Sequence, residues 1–441
     1  MGIDRSGLSP ELQRKIVYAG TNNPSFQQGS KDLAELMDLE VNAKQVERVT
    51  ERIGQERCDQ RDAGVQDYVS LPLTKRKDKP DGVTAPEVAV VGVDGGRLQI
   101  RDDSWLSQDE AVASAAKAEK TEEEEALPPD DTHRGKYWRE DKIGVLMTMT
   151  SEEKETDPCP EIPAAFVDPT RILKLARELK TKKSANVEQS KQEAVGTTEM
   201  PEEVTQVLCE EGQKVKWRPP EVKDKHLTAT RQPWPVFGPM VATLAWTLGF
   251  FLAARKAFIG DGSENNWALW RRSFSSFTPI LDIIHAISYV YAAATADWPF
   301  AEGWPCYVRW VTWLWGGEVE KVIAELAQRQ AELGPPQEGD GDTHPRMVVE
   351  TALRYLQNHK DKMRYPEYRR LGLPITSSYV ESAVKQFNQR VKGTEKFWTE
   401  EGAEALLQLR ADCLSTANPL PAFWQARQDK ASGQANYSQA A

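Results

Sequence analysis

Glu87-Val88-Ala89-Val90-Val91-Gly92-Val93-Asp94-Gly95-Gly96-Arg97-Leu98-Gln99-Ile100 is the stretch whose reading decides the fold. Val88 to Val93 is apolar and β-branched, which predicts a strand buried on both faces. It ends in Asp94, and a carboxylate beside a core costs free energy unless it is paired or bound to a metal. Gly95-Gly96 has the composition of a tight turn. Arg97 to Arg101 alternates polar and apolar, which predicts the return strand of a hairpin, with strands over 87–94 and 96–101. The question posed by the stretch is what Asp94 holds.

The chain has 441 residues, room for two or three domains with a sizeable core. A net charge of −11 rules out a surface that is basic throughout, so contact with nucleic acid has to come from local patches. The five cysteines, at 58, 159, 209, 306 and 413, form no C-x-x-C pair, which fits reduced thiols in a cytoplasm and gives no zinc spacing. Val236 to Ala254 carries no charge over 19 residues, near the length of a membrane span. It is a single segment, contains Gly238-Pro239 and runs straight into a strand-like Ala257-Phe258-Ile259-Gly260. The expectation is therefore a helix buried on all sides and no membrane partner.

Outward from the opening strand, residues 8–62 read as a small all-helical N-terminal domain. Ser25 and Asn42 stand where helix caps belong, and the pair of helices across Asp38-Leu39-Glu40-Val41 is compatible with a helix-turn-helix. Lys44, Gln45, Arg48 and Arg52 would then lie on the exposed face of its second helix, as DNA-binding candidates beside the plainer reading of a helical domain. Residues 63–86 read as a Lys/Pro/Asp-rich linker. Residues 102–134 (with EKTEEEEALPPDD) and 151–230 read as polar insertions, flanking a third strand from Lys142 to Met149; a helix is expected from Asp168-Pro169. The apolar helix 236–255 leads to strand 257–260, which ends in Asp261-Gly262-Ser263. Residues 264–370 read as a helical insertion; seven of the 14 tryptophans fall between 267 and 315 and are expected to build a small core of their own. Helices follow near 346–363, 378–392 and 400–415, then a loose tail over 416–441.

Asp94 and Asp261 each end an apolar strand. A third acid, Glu381, lies in Ile375-Thr376-Ser377-Ser378-Tyr379-Val380-Glu381-Ser382-Ala383-Val384-Lys385, at the border of a helical stripe of Val380, Val384, Phe387 and Val391. Alone, Ser378-x-x-Glu381 reads as a capping box closing a first helical turn. Strand-Asp, strand-Asp, helix-Glu in this order is also the arrangement of a ribonuclease H-like active site, an α/β core with a mixed sheet whose strands 1–3 are antiparallel and later strands parallel. Three carboxylates imply divalent cations, and Mg²⁺ suits such a set. Two ions about 3.5–4 Å apart support in-line phosphoryl displacement.

These pieces together resemble a family, the DDE transposases of bacterial insertion sequences, in particular the ISKra-type branch. The resemblance rests on V-V-G-V-D-G-G-R at 90–97, W-R-E-D-K-I-G-V at 138–145, F-I-G-D-G-S at 258–263, I-L-D-I-I-H-A at 280–286 and S-S-Y-V-E-S-A-V-K at 377–385. R-V-K-G-T-E-K-F-W at 390–398 and A-L-L-Q-L-R at 405–410 follow, so that about residues 8–415 are covered. It implies a ribonuclease H-like catalytic core over 87–415. It also implies cleavage and joining of double-stranded DNA at element ends, with Asp94, Asp261 and Glu381 as ligands of two Mg²⁺ ions, Mn²⁺ being able to substitute. A homo-oligomer bringing two DNA ends together in a bacterial cytoplasm is the expected assembly. The Asp282-x-x-His285 box falls on one helix face at i, i+3. It is either a contact near the metals or DNA end, or a core histidine satisfied by its neighbour.

From Lys360 to Lys396 there are nine Lys/Arg against four acids, a local excess that marks a phosphate-contacting strip beside Glu381 or an ordinary charged helix face. Lys385, Arg390, Lys392, Lys396 and Trp398 are the DNA-binding candidates there. Two rival functions stand beside the transposase. One is an actin-like or sugar kinase-like ATPase, in which Gly92-Val93-Asp94-Gly95-Gly96 would be a phosphate loop, although Arg97 stands where its usual Thr belongs. The other is an inactive or domesticated relative that binds DNA without cutting it.

Overall fold

The computed structural model describes residues 7–101, 137–172 and 218–432. The first insertion expected at 102–134 lies outside the described residues, as do Cys209, most of the second insertion and the tail beyond Ser432.

The opening stretch forms one strand where a hairpin was expected. β1 runs unbroken from Val88 to Ile100 and pairs along its length with antiparallel β2 (Trp138–Thr150), Gly95 opposite Lys142 and Gly96 opposite Asp141. Neither glycine has a positive φ. Their smallness serves close approach instead. A Cβ on Gly95 would lie 3.0 Å from the Asp141 carbonyl oxygen, and one on Gly96 would lie 2.9–3.0 Å from Asp141 and Asn388 oxygens. Asp94 therefore sits within a strand, at the edge of its buried half, rather than at a strand end.

The missing return strand is supplied from further on. Glu221–Thr230, expected to be part of a polar insertion, forms β3 and pairs antiparallel with β2. β4 (Arg255–Gly260) lies parallel to β1 on the other side, and β5 (Thr278–Leu281), hidden in the expected helical insertion, lies parallel to β4. The order is β3-β2-β1-β4-β5, with β1 to β3 antiparallel and the rest parallel. A two-residue β6 (Phe397–Trp398) pairs with the far end of β1.

Both faces of this mixed sheet are covered by helices. The sheet glycines show which ones. A Cβ on Gly92 would meet Val380, on a helix over one face, and a Cβ on Gly144 would meet Phe237 and Val241, on a helix over the other. Numbered along the chain, the helices are α1 (Pro10–Asn22), α2 (Phe26–Met37), α3 (Ala43–Ser70), α4 (Leu73–Arg76), α5 (Trp234–Thr247), α6 (Glu264–Ser273), α7 (Ile283–Ala294), α8 (Phe300–Trp315), α9 (Val319–Leu333), α10 (Pro345–His359), α11 (Tyr365–Arg370), α12 (Ser378–Val391), α13 (Glu400–Leu414) and α14 (Leu420–Ser432). The apolar stretch from Val236 is α5 and a following 3₁₀ turn, packed on the sheet. Among the described residues no helix is long and apolar enough to cross a membrane.

Other expectations change with the tertiary packing. Ser25 and Asn42 cap α2 and α3 as expected. But α3 continues past residue 62 to Ser70 and lies along α13, where Gly54 meets Ala405, Arg57 pairs with Asp412 at 2.9 Å and Arg61 with Glu404 at 3.0 Å. The apolar cluster of the first three helices also takes in Leu409, Leu420 and Trp424 from the far end of the chain. The tail up to Ser432 is thus a packed helix, α14. Nor do the tryptophans form a separate core: Trp267, Trp310 and Trp315 belong to the same apolar cluster as the sheet. Apolar surface driven from water merges wherever packing permits.

Candidate active site at the ends of the parallel strands

The three parallel strands deliver three aspartates to one end of the sheet. Gly92 is level with Ile259 and Ile259 with Ile280, so Asp94 on β1, Asp261 after β4 and Asp282 after β5 lie side by side. Local hydrogen bonds fix the first two. The Gly95 N–H donates to Asp94 Oδ1 at 2.7 Å. Asp261 Oδ1 accepts from the Ser263 N–H and from the Asn266 amide, both at 2.9 Å, and the same amide reaches the Val93 carbonyl at 3.3 Å, tying β4's loop to β1. From the helical region, the Tyr355 hydroxyl donates to the Asp261 carbonyl at 2.7 Å. The ring fills the space next to Gly262, whose φ of +100° and lack of a Cβ the turn requires.

Glu381 arrives from α12, which crosses β1, and its residue is only 7% exposed. The capping-box reading fails on register. The N-cap is Ser377, so Glu381 is the fourth helical residue, one past the position a box requires. Ser377 does not cap with its side chain either; its hydroxyl donates to Asp282 Oδ2 at 2.6 Å.

Asp282 is fully buried. Its Oδ1 accepts from the Ile284 N–H at 2.9 Å, and its Oδ2 also lies 3.0 Å from His285 Nδ1. Burial by itself would raise the Asp282 carboxyl, but the bond and charge of His285 and the Ser377 hydroxyl hold it below the usual range. For His285 burial works downward, yet Asp282, with Asp261 and Glu381 beyond it, raises it to about 9. At neutral pH this is an ion pair, with the imidazolium facing the other acids. For Asp94, burial first, then the charge of Asp261 and then that of Glu381 raise the carboxyl to about 7, against the opposing Gly95 N–H bond. A raised carboxyl among like charges marks a set that gains by holding a cation.

Two sets of residues compete for that cation. Ligand atoms of Asp282, His285 and Glu381 all lie within 4.8 Å of one another. Their chemistry argues against a metal: a protonated imidazole has no lone pair to give, and both Asp282 oxygens already accept hydrogen bonds. Asp94, Asp261 and Glu381 offer carboxylate oxygens, the hard donors that suit a cation such as Mg²⁺. The Asp282–His285 pair is neutral overall, and its imidazolium is the member that faces the other acids.

The DNA-binding candidates divide. Lys44 and Arg48 are exposed, Lys44 beside Glu47 at 2.9 Å, while Arg52 is half-buried. Lys385 on α12 and Lys392 just past its end are half-buried. Arg390 and Trp398 are corrections. Arg390 is 3% exposed, donates twice to the Gly20 carbonyl (3.1 and 2.9 Å) and lies over the rings of Phe26 and Trp398; Trp398 is buried and donates to Val391 O. They join the N-terminal helices to the core and do not face DNA. Lys396, beyond the end of α12, turns its ammonium back to donate to the Gln389 and Arg390 carbonyls of that helix at 3.2 and 3.3 Å.

Asn266, Tyr355 and Ser377 hold the site and were not among the sequence candidates, because their hydrogen bonds to Val93, Asp261 and Asp282 are decided by folding. Asp141 is a further case. It is wholly buried under α12 opposite Gly96, and neither of its carboxylate oxygens meets a donor from another residue. No family model matches this sequence, and no curated protein matches it significantly.

Proposed function

We propose that this chain is a DDE-type transposase with a ribonuclease H-like core, which cleaves DNA strands at element ends and joins them to a target by metal-dependent phosphoryl transfer. The observation that carries the reading is the convergence of Asp94, Asp261 and Glu381 at one end of the sheet. The mixed sheet, with β1 to β3 antiparallel and β4 and β5 parallel, agrees with the sheet expected of such a core, and a helix laid across β1 supplies the third acid.

Asp94, Asp261 and Glu381 would hold Mg²⁺ or Mn²⁺, which when bound supplies activation of the attacking oxygen and stabilisation of the leaving one. The chain's own residues do the positioning. Asn266 and Tyr355 hold Asp261 against β1. Asp282 and Ser377 hold His285 charged and oriented, so that its imidazolium offers a positive contact to a phosphate oxygen among the acids. A rigid sheet fixes ligands more closely than loops do. The ATPase alternative loses its phosphate loop, since Gly95 and Gly96 are paired inside a strand.

The test is cleavage of duplex DNA made from the sequences on either side of the gene, terminal inverted repeats being expected there. Strand nicking is expected only with Mg²⁺ or Mn²⁺, and it is expected to fall about 1,000-fold or more in Asp94→Asn, Asp261→Asn and Glu381→Gln. Variants that cut as well as the parent would overturn the assignment. A parent that binds these ends but never cuts them would instead be the inactive relative.

A further inference from the structure

Three buried oxygens meet over Gly96, and none has a donor from another of the described residues. Asp141 is 0% exposed, with both carboxylate oxygens in this state; Oδ1 of Asn388, on α12, is buried and equally without a donor. The three converge. The point that a Cβ on Gly96 would occupy lies 2.9 Å from Asp141 Oδ1 and 3.0 Å from Asp141 Oδ2 and from Asn388 Oδ1. Gly96 stands opposite Asp141 in the β1–β2 ladder, so the oxygens line the seam between these strands and α12.

Oxygens that only accept are costly in a dry seam unless a positive group stands among them. The neighbouring ammonium groups do not fill that place. Lys142 points to the other face of the sheet, where it pairs with Glu140 at 3.0 Å and lies 5.8 Å over the Trp234 ring; Lys392 lies 5.8 Å over the Trp138 ring. Lys385 is half-buried one turn before Asn388. Burial chiefly raises the Asp141 carboxyl to about 6, with Lys142 and Lys392 pulling it down and Glu140 pushing it up, yet none of them donates to it. A proton can bridge Asp141 to Asn388 in acid. The ionised acid leaves all three oxygens as acceptors.

We propose that Asp141 and Asn388 bind a monovalent alkali cation, Na⁺ or K⁺, which ties α12 to β1 and β2. Oxygen donors are the ones that hard cations take. The charge selects the valence. One carboxylate and a neutral amide carry a single negative charge, and a divalent ion among these lysines would leave an uncompensated positive charge in the core. Asn388 lies about two turns beyond Glu381, so the ion braces the helix that carries the third acid of the proposed active site. The cation site itself does not depend on the transposase reading.

The experiment measures the thermal midpoint of the full-length protein at about pH 8, where the acid is ionised, in choline, sodium or potassium chloride at equal concentration, so that screening is the same in each. NaCl or KCl is expected to raise the midpoint of the parent about 3 °C above its value in choline chloride, and the more effective salt names the ion. In choline chloride Asp141→Asn should be more stable than the parent, and it should gain nothing from either alkali salt. Asn388→Asp adds a second carboxylate and is expected to respond more strongly and to CaCl₂ as well. A parent indifferent to the cation would overturn the proposal and leave the carboxylate to a turned Asn388 amide or to Lys392. So would Asp141→Asn responding to the alkali salts as the parent does.

Discussion

Glu381 owes its place to one residue of register. Had α12 begun one residue later, the acid would have closed the first turn; as the fourth residue it projects toward Asp261 and His285 instead. His285 depends in turn on Asp282. In Asp282→Asn the imidazole keeps its burial but loses its anionic partner, so its pKa, raised to about 9 in the parent, is expected to drop below 6.5. Titration of the ring by NMR checks this, and cleavage at pH 7.5 should fall with the loss of the charge. Asp141 makes the opposite case, a buried acid with no donor. Burial chiefly raises its carboxyl to about 6, against lesser pulls from its own N–H, Lys142 and Lys392. The folded protein thus prefers the protonated acid. That contribution is full below the ordinary carboxylate range and is lost as pH rises through about 6, a change of about 3 kcal/mol. Asp141→Asn should therefore be close to the parent in stability at pH 4 and more stable above pH 7, as read by urea unfolding at both values. A gap independent of pH would show that Asp141 is paired after all.

At the scale of elements, β1 carries most of the design. Its Gly95-Gly96 pair lets β2 and α12 approach one another over the strand. Gly96→Ala places a methyl 2.9–3.0 Å from oxygens of Asp141 and Asn388, and is expected to destabilise the fold by about 1–3 kcal/mol, measured by denaturant midpoint. The junction of α12 with the N-terminal helices is the second such point. Burial, and then the charge of Arg410, lower the Arg390 guanidinium to about 10, and among the described residues the Gly20 carbonyl and the rings of Phe26 and Trp398 receive it. Arg390→Ala should cost about 2–4 kcal/mol of stability, while the salt dependence of DNA binding stays unchanged, because no phosphate contact is removed. A shallower salt slope would return Arg390 to the DNA surface.

For the molecule as a whole, the N-terminal helices and the sheet domain are one packed unit. Leu409, Leu420 and Trp424 share a core with Ile16, Leu33, Val46 and Ile53, and the Arg57–Asp412 and Arg61–Glu404 pairs are largely buried. A chain starting at residue 71 would expose that apolar surface and leave buried acids on α13 unpaired. It is expected to lose its cooperative thermal transition and bind a hydrophobic dye, where a separable DNA-binding domain would leave the remainder folded. The helical region between α7 and α12 is likewise part of the site, since Tyr355 reaches from α10 to the backbone of Asp261.

The sequence by itself determined what repeats along one element. The apolar run of β1, the caps of α2 and α3, the stripe of α12 and the aspartate that follows β4 were legible, because local periodicity and capping chemistry are written within a few residues. The grouping of Asp94 with Asp261 and Glu381 was also reached from their order along the chain. Only the tertiary structure decided what depends on partners far apart in sequence. It showed Gly95-Gly96 as a point of close contact rather than a turn, because α12 and β2 press there. It made strands of Glu221–Thr230 and Thr278–Leu281, which are too polar or too short to declare themselves but have an open sheet edge to join. It buried Arg390 and Trp398 against helices more than 300 residues earlier, where a charge count had placed them toward DNA.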